Sequence, residues 1–444
     1  MKICILNYTG DRGNWGCQAT SENLEQFLDR TFGNTGPVEI NTVPFPREHK
    51  IDRLHEAIHG DRIRAVYAGD AVDERSLALL EHLTVERFGR FTEIVHSADM
   101  VVFQGEGTVG PSSYLRNTRL FGLPFVAAKR WNKPVYSMNQ SIYAASEADG
   151  RVLANLFNSF ALVSVREMTS LAYADRIGIR NAIICPDMAF AEHAAAEVLV
   201  PSERYFCVSG SAASEYYDHD AFVGCVRRIS DTLSLRPLFL YSRGNDRRLA
   251  DAALSADDVF DGAAIPHYSQ LAGLLRHASF VFGGRYHTAI TALAQGTPAI
   301  LLPGNTFKSE GIGPMMGVAC PVFDVTETET EAIIEAAVAI TSNLSLRRAE
   351  IMTSVIRMRE AQRQFGRLLL ALIGHDSVAQ QEACTAIERM IPSSPVDTRF
   401  DEIYRNKNAS AARRGGIVQR AMLWGQRSMP GFGNRIAGTF ANLT

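Results

Sequence analysis

Short apolar runs rich in Val, Ile and Phe punctuate the chain: KICILNY, VEINTVPF, ADMVVFQG, PVYSMNQ, ALVSV, AIICPD, then RYFCVSG, RPLFLYS, SFVFGG and PAILLPG. Between them lie longer stretches whose apolar positions fall at helical spacing. Strands alternating with amphipathic helices predict βαβ units, hence parallel sheets covered by helices on both faces. The alternation breaks once, in AEHAAAEVLVPSER between PDMAF and RYFCVSG, which places a boundary near residues 191–204. The pattern therefore predicts an α/β protein with one doubly wound, Rossmann-like domain over residues 1–195 and a second over 204–327. Their ligand-binding strand ends would face a common cleft. Residues 328–374 read as long helices packed back across the domains, and 375–444 as a basic C-terminal extension.

Composition narrows the class without choosing a function. Of 444 residues, 46% are hydrophobic and 21% charged, with a net charge of -3, the profile of an ordinary globular protein. Such a balance gives no sign of a nucleic-acid partner. The N-terminal MKICILNYTGDRGNWG turns polar too soon for a signal peptide and reads as a first strand, and no window has the ~20 apolar residues of a spanning helix. The odd number of cysteines (Cys4, Cys17, Cys185, Cys207, Cys225, Cys320 and Cys384), scattered without CxxC spacing, points to free thiols in a reducing cytoplasm.

The chemistry-bearing residues follow the predicted strands. NYTGDRGNWGCQAT, with Asp11 and Asn14, is a glycine-rich turn into a helix N-terminus, suited to an anion, although it matches neither GxGxxG nor the Walker A pattern. In DMVVFQGEGTVGP, Gln104, Glu106 and Thr108 alternate with glycines, so an irregular backbone can approach a ligand closely. Arg166 and Glu167 end VSVRE, where Arg166 can grip a phosphate or carboxylate, or both can engage nearby partners in a structural ion pair, and Asp187 follows AIICP. The densest group is VFGGRYHTAITALAQGTPAILLPGNTFKSEGI. Here Gly283 and Gly284 permit close backbone approach, Arg285 adds a fixed cation, and His287 can pass a proton near neutral pH. Asn305 and Lys308 follow the next strand. Tyr286, between Arg285 and His287, can pack beneath the loop or stack on a sugar. No metal site is expected. HEAIH at His55 to His59 fits HExxH formally but sits in an Arg- and Asp-rich stretch with no glycine loop, and reads as a chance match.

In order and spacing, NYTGDRGNWG, VVFQGEGT, SVRE, PDMAF and above all the RYH…AL…G.P.I.L…N…K…G series resemble the polysaccharide pyruvyl transferase family over roughly residues 1–320. The resemblance implies a GT-B-like fold, acceptor on the N-terminal domain and donor on the C-terminal one. No cofactor is implied, phosphoenolpyruvate being the donor substrate, and a pair of sugar hydroxyls accepts the pyruvate ketal. Carried over by motif, Arg166 and Arg285 hold the donor's phosphate and carboxylate and His287 is the proton donor, with Glu106, Asp187 and Asp11 as candidate bases. Two other functions compete. A nucleotide-sugar-dependent glycosyltransferase of the same architecture would also use Arg285 and Lys308, and a carbohydrate-binding scaffold would keep the fold without turnover.

The end of the chain is different. From Ile403 onward there is no acidic residue, while Arg405, Lys407, Arg413, Arg414, Arg420, Arg427 and Arg435 accompany Ile417, Ala421 and Trp424 at helical spacing. This reads as a cytoplasmic-face membrane contact, consistent with a lipid-linked oligosaccharide acceptor, or as a disordered or oligomer-contacting tail.

Overall fold

The computed structural model describes residues 1–392 except 70–72, 108, 110, 111, 145, 193, 194, 213–216, 242–245, 247, 248, 251–258, 261–263, 305 and 325. Thr108, Asn305 and the basic stretch from Ile403 onward lie outside the described residues.

The first six apolar runs form one parallel sheet: β1 (Lys2–Tyr8), β2 (Glu39–Pro44), β3 (Met100–Gln104), β4 (Val135–Gln140), β5 (Leu162–Val165) and β6 (Ala182–Ile184), in the order β2-β1-β3-β4-β5-β6. A second parallel sheet holds β7 (Tyr205–Ser211), β8 (Arg236–Leu240), β9 (Val259–Phe260), β10 (Val281–Gly284) and β11 (Ala299–Leu301), in the order β11-β10-β7-β8-β9. Central strands are buried throughout because helices cover both faces; every residue of β3, β4 and β7 is buried. Each sheet reverses strand order beside its first strand, between β1 and β3 and between β7 and β10. The loops leaving β1, β3 and β10 therefore open at the two switch points where doubly wound sheets bind ligands.

The first helix, Trp15–Gly33, ties the halves together. The Asn14 side chain caps it, accepting from the backbone N–H of Gly16 (3.0 Å) and Cys17 (3.2 Å). Trp15 Nε1 donates to the Ile265 carbonyl (2.6 Å), and Gln18 both donates to the Pro266 carbonyl and accepts from the Tyr268 N–H. Glu22 meets His267 at 3.1 Å. The thirty-residue helix Leu344–Ile373 lies against both halves. Arg348 donates to the carbonyls of Arg276 (2.9 Å) and Ala278 (2.6 Å), and Arg359 to that of Phe190 (3.0 Å). The expected extension from 375 begins differently. Ser377–Met390 is a helix, capped by Asp376, whose Ala383 and Ile387 are buried. Two apolar positions one turn apart suffice to dock it.

Candidate active site

Helix Tyr286–Ala294 starts directly after β10, so Arg285, Tyr286 and His287 stand at the carboxyl edge of the second sheet. His287 reaches across to the first half. Its Nε2 lies 3.0 Å from Thr20 Oγ1 of the first helix, 3.2 Å from Arg166 Nη1 and 3.4 Å from Asp187 Oδ2. Arg166 and Thr20 can donate to an unprotonated Nε2, and Asp187 can accept from a protonated one, so this nitrogen has a partner in either state. The other face of the ring packs on Gly16, where a Cβ would fall 2.4 Å from Nδ1.

Asp187 is fully buried, and its oxygens are committed to Arg166 Nη1 (2.9 Å), the Ala189 N–H (2.9 Å), Thr20 Oγ1 (3.4 Å) and His287. Burial alone would raise its pKa. The hydrogen bond and charge of His287, with the Arg166 guanidinium, outweigh that and hold the carboxyl well below its usual range. The long helix contributes here too, since Gln362 Nε2 donates to the carbonyls of Asp187 (2.8 Å) and Pro186 (3.3 Å).

Arg166 is the largest fully buried side chain described. Its Nε donates to Ser141 Oγ (3.0 Å), and its guanidinium lies 4.5 Å over the Tyr286 ring. Burial would lower its pKa, but nearby Tyr286, Asp187, Glu167 and Glu106 raise it, so the cation is permanent. The remaining nitrogen, Nη2, faces Gly107. A Cβ there would sit 3.8 Å from Arg166 Nη2 and 3.7 Å from Lys308 Nζ, so two buried cations converge on one small glycine. Lys308 Nζ also lies 5.7 Å over the Tyr286 ring. The Tyr286 hydroxyl is buried and has no hydrogen-bond partner among the described residues.

Glu106 takes φ 47°, unusual for a residue with a side chain. Its Oε1 accepts from Thr9 Oγ1 and from Gln104 Nε2 (2.7 Å), and Gln104 also donates to Ser21 Oγ (2.7 Å). Glu167 is buried beside Arg166 and accepts from Ser141 and Ser170. Burial pushes its pKa up to about 7, against Arg166, both serines and Lys308, which all act to lower it.

His287, Asp187, Arg166, Tyr286, Lys308 and the Gln104–Glu106 pair thus gather at one place, and four expected residues serve otherwise. Arg285 lines a cavity of about 90 Å³ with Asn14, Tyr286, His287 and Lys308, but its Nε and Nη2 hold Asp246 Oδ2 at 2.9 and 2.8 Å. A fully buried carboxylate thus offsets the expected donor-binding fork. Gly283 and Gly284 leave no room for a ligand on their Cβ side. A Cβ would meet the Ser209 carbonyl oxygen (2.2 Å) and Tyr217 hydroxyl (2.2 Å) respectively, so their smallness serves the packing of β10 on β7. Asp11 is exposed and lines a separate cleft. His55 of HEAIH is buried between Thr118 Oγ1 (3.4 Å) and Glu86 (3.3 Å), and the described residues contain no group of three or more His, Cys, Asp or Glu that could hold a metal. Sequence reasoning missed Asp246 and Gln362, for which no local signal exists. Gly16 and Thr20, inside a motif already singled out, could have been found.

Two parallel sheets sharing a site at their facing strand ends define a two-domain protein of GT-B architecture. The chain is similar to a putative UDP-N-acetylglucosamine 2-epimerase from Listeria monocytogenes (TM-score 0.54, 10% identity, covering 85% of this chain and 97% of that one). It is also similar to Thermosynechococcus elongatus sucrose-phosphate synthase (0.53, 14%, 85% and 100%) and to S. aureus MnaA solved with UDP (0.52, 11%, 84% and 97%). No curated protein matches by sequence. A family model described as polysaccharide pyruvyl transferase matches residues 14–305, and the chain belongs to that family. Among the described residues no helix is long and apolar enough to cross a membrane.

Proposed function

We propose that the protein transfers the enolpyruvyl group of phosphoenolpyruvate to two hydroxyls of one sugar, releasing phosphate and leaving a pyruvate ketal. The observation that carries this reading is the convergence of Arg166 Nη2 and Lys308 Nζ beside Gly107, next to a histidine held by a buried carboxylate. Phosphoenolpyruvate concentrates its negative charge on few atoms and needs fixed cations; Arg166 and Lys308 supply them where the protein excludes water. The unpartnered Tyr286 hydroxyl offers a further donor. With Nε2 fixed by Asp187 and Thr20, Nδ1 of His287 at the cavity wall is the nitrogen that passes a proton to the methylene carbon.

Protonation makes that carbon a methyl and leaves an oxocarbenium-like centre, which the first sugar oxygen attacks. Phosphate departs, the second hydroxyl closes the ketal, and the two hydroxyl protons are accounted for by the new C–H bond and the released phosphate. Asp187 acts in this scheme as the group orienting His287 rather than as a base, because its lone pairs are committed. Glu106 is the carboxylate left to receive a hydroxyl proton.

Thermal stability measured with phosphoenolpyruvate, UDP, CMP and GDP in parallel tests the donor. A shift with phosphoenolpyruvate that survives in His287→Ala, while phosphate release with an accepting glycan falls by about 10²–10⁴-fold, supports the scheme. A shift with a nucleotide and none with phosphoenolpyruvate replaces it with a nucleotide-sugar glycosyltransferase.

A further inference from the structure

The three nitrogens of Arg166 face three different neighbours. Nε donates to Ser141 Oγ (3.0 Å) and lies 3.9 Å from Glu167 Oε2, Nη1 donates to Asp187 Oδ2 (2.9 Å), and Nη2 faces the space at Gly107 that Lys308 Nζ also faces. Two fully buried carboxylates thus share one guanidinium before any ligand arrives. They are held differently. Asp187 has a guanidinium N–H, a backbone N–H and His287 on its oxygens, whereas Glu167 accepts from the hydroxyls of Ser141 (3.2 Å) and Ser170. Each hydroxyl in turn accepts an N–H, from Arg166 Nε and from the Ile142 backbone (2.9 Å), and keeps a second lone pair. A hydroxyl can donate to a carboxylate or accept from a carboxylic acid, as an N–H cannot, so Glu167 is accommodated in either state. Gly311 closes the other side, where a Cβ would fall 2.6 Å from Glu167 Cγ. The charged and titratable groups that face Glu167 are Arg166 from its own turn, Lys308 from the segment after β11 and Tyr286 from the helix after β10, and Glu310 precedes the glycine packed on it. Burial already brings this carboxyl up to about 7, and further negative charge on Arg166 and Lys308 raises it again.

We propose that Glu167 is a positioning residue of the donor site, taking up one proton from the medium when an anion settles on Arg166 and Lys308 and returning it when phosphate leaves. It acts through Arg166. With all four groups ionised, the two cations are cancelled by Asp187 and Glu167, and a multiply charged anion meets no net attraction. With Glu167 protonated, one positive charge is left over, and the guanidinium answers to Asp187 and the bound anion alone. The word donor rests on the pyruvyl-transfer reading; the coupling of a bound anion to Glu167 does not.

Calorimetric titration of the full chain at pH 8 in Tris, HEPES and tricine, whose different ionisation heats report the protons taken up, tests it. The titrants are phosphoenolpyruvate and sulfate, the latter without a titrating proton in this range. Wild type is expected to take up at least about half a proton more per anion bound than Glu167→Gln, and His287→Ala should still take it up. Between pH 7 and 9 the affinity of wild type should fall by up to about tenfold per pH unit beyond any fall in Glu167→Gln. Ser170→Ala, which removes a donor to the ionised carboxylate, should move the uptake to higher pH. Equal uptake in wild type and Glu167→Gln, or uptake lost in His287→Ala and kept in Glu167→Gln, overturns the proposal and leaves pyruvyl transfer standing. Sulfate uptake that depends on Glu167, in a protein that phosphoenolpyruvate does not bind, leaves the coupling standing and overturns pyruvyl transfer. Binding of neither anion overturns both.

Discussion

Gly107 is the residue at which a small substitution should be most informative. A methyl group there meets Arg166 Nη2 and Lys308 Nζ at ordinary contact distances, so the fold can tolerate it while the anion cannot. Gly107→Ala is expected to weaken phosphoenolpyruvate binding about tenfold or more, with the melting temperature of the free protein within a few degrees of wild type. Isothermal titration with thermal unfolding checks both halves. Arg285 should behave in the opposite way. Removing it deletes the ion pair with Asp246, which has no exposure to solvent, and truncating one member of a buried pair costs about 3–5 kcal/mol. Arg285→Ala should therefore lose stability in denaturant titration far more than it loses donor affinity. That His287 and Arg166 stand at strand ends was legible in the chain, because each directly follows a strand-like run. That Arg285 is neutralised was not, because Asp246 lies 39 residues away in a stretch without periodicity.

Among the elements, the turn from β5 into helix Met168–Ile177 concentrates the electrostatics, with Arg166 and Glu167 adjacent and both buried. Glu167 has a folded-state pKa of about 7, above the ordinary carboxyl range near 4.3. The folded protein thus holds this proton more tightly than the unfolded chain does. Its contribution is fully present below about pH 4 and is lost as pH rises through 7, amounting to a few kcal/mol. Urea unfolding at pH 5, 6, 7 and 8 should show this decline, and Glu167→Gln should flatten it; an unchanged slope would remove Glu167 as its source. The apolar runs mark ten of the strands because buried parallel strands read as continuous Val, Ile and Phe. β9, Val259–Phe260, is only two residues long and leaves no such trace. The contact of Thr20 with His287 joins positions 267 apart and arises from helix packing, which no local pattern encodes.

At the scale of the whole molecule, the halves are stitched by Trp15, Gln18 and Glu22 on one side and by the long helix on the other. Unfolding is accordingly expected as one cooperative transition, with the calorimetric and van't Hoff enthalpies equal. Two resolved transitions would mean that the seam contributes little. The reach of His287 into the opposite half carries a further consequence. Its ring is aligned by Thr20, Asp187 and Arg166 only while the halves are together, so a parted molecule has a histidine in water and a carboxylate bound to arginine, and neither can activate an enol. Phosphoenolpyruvate is a high-energy metabolite that water could otherwise consume. Under the proposed reaction, dividing the proton donor from its orienting groups would keep phosphoenolpyruvate from hydrolysis in any molecule whose halves have parted.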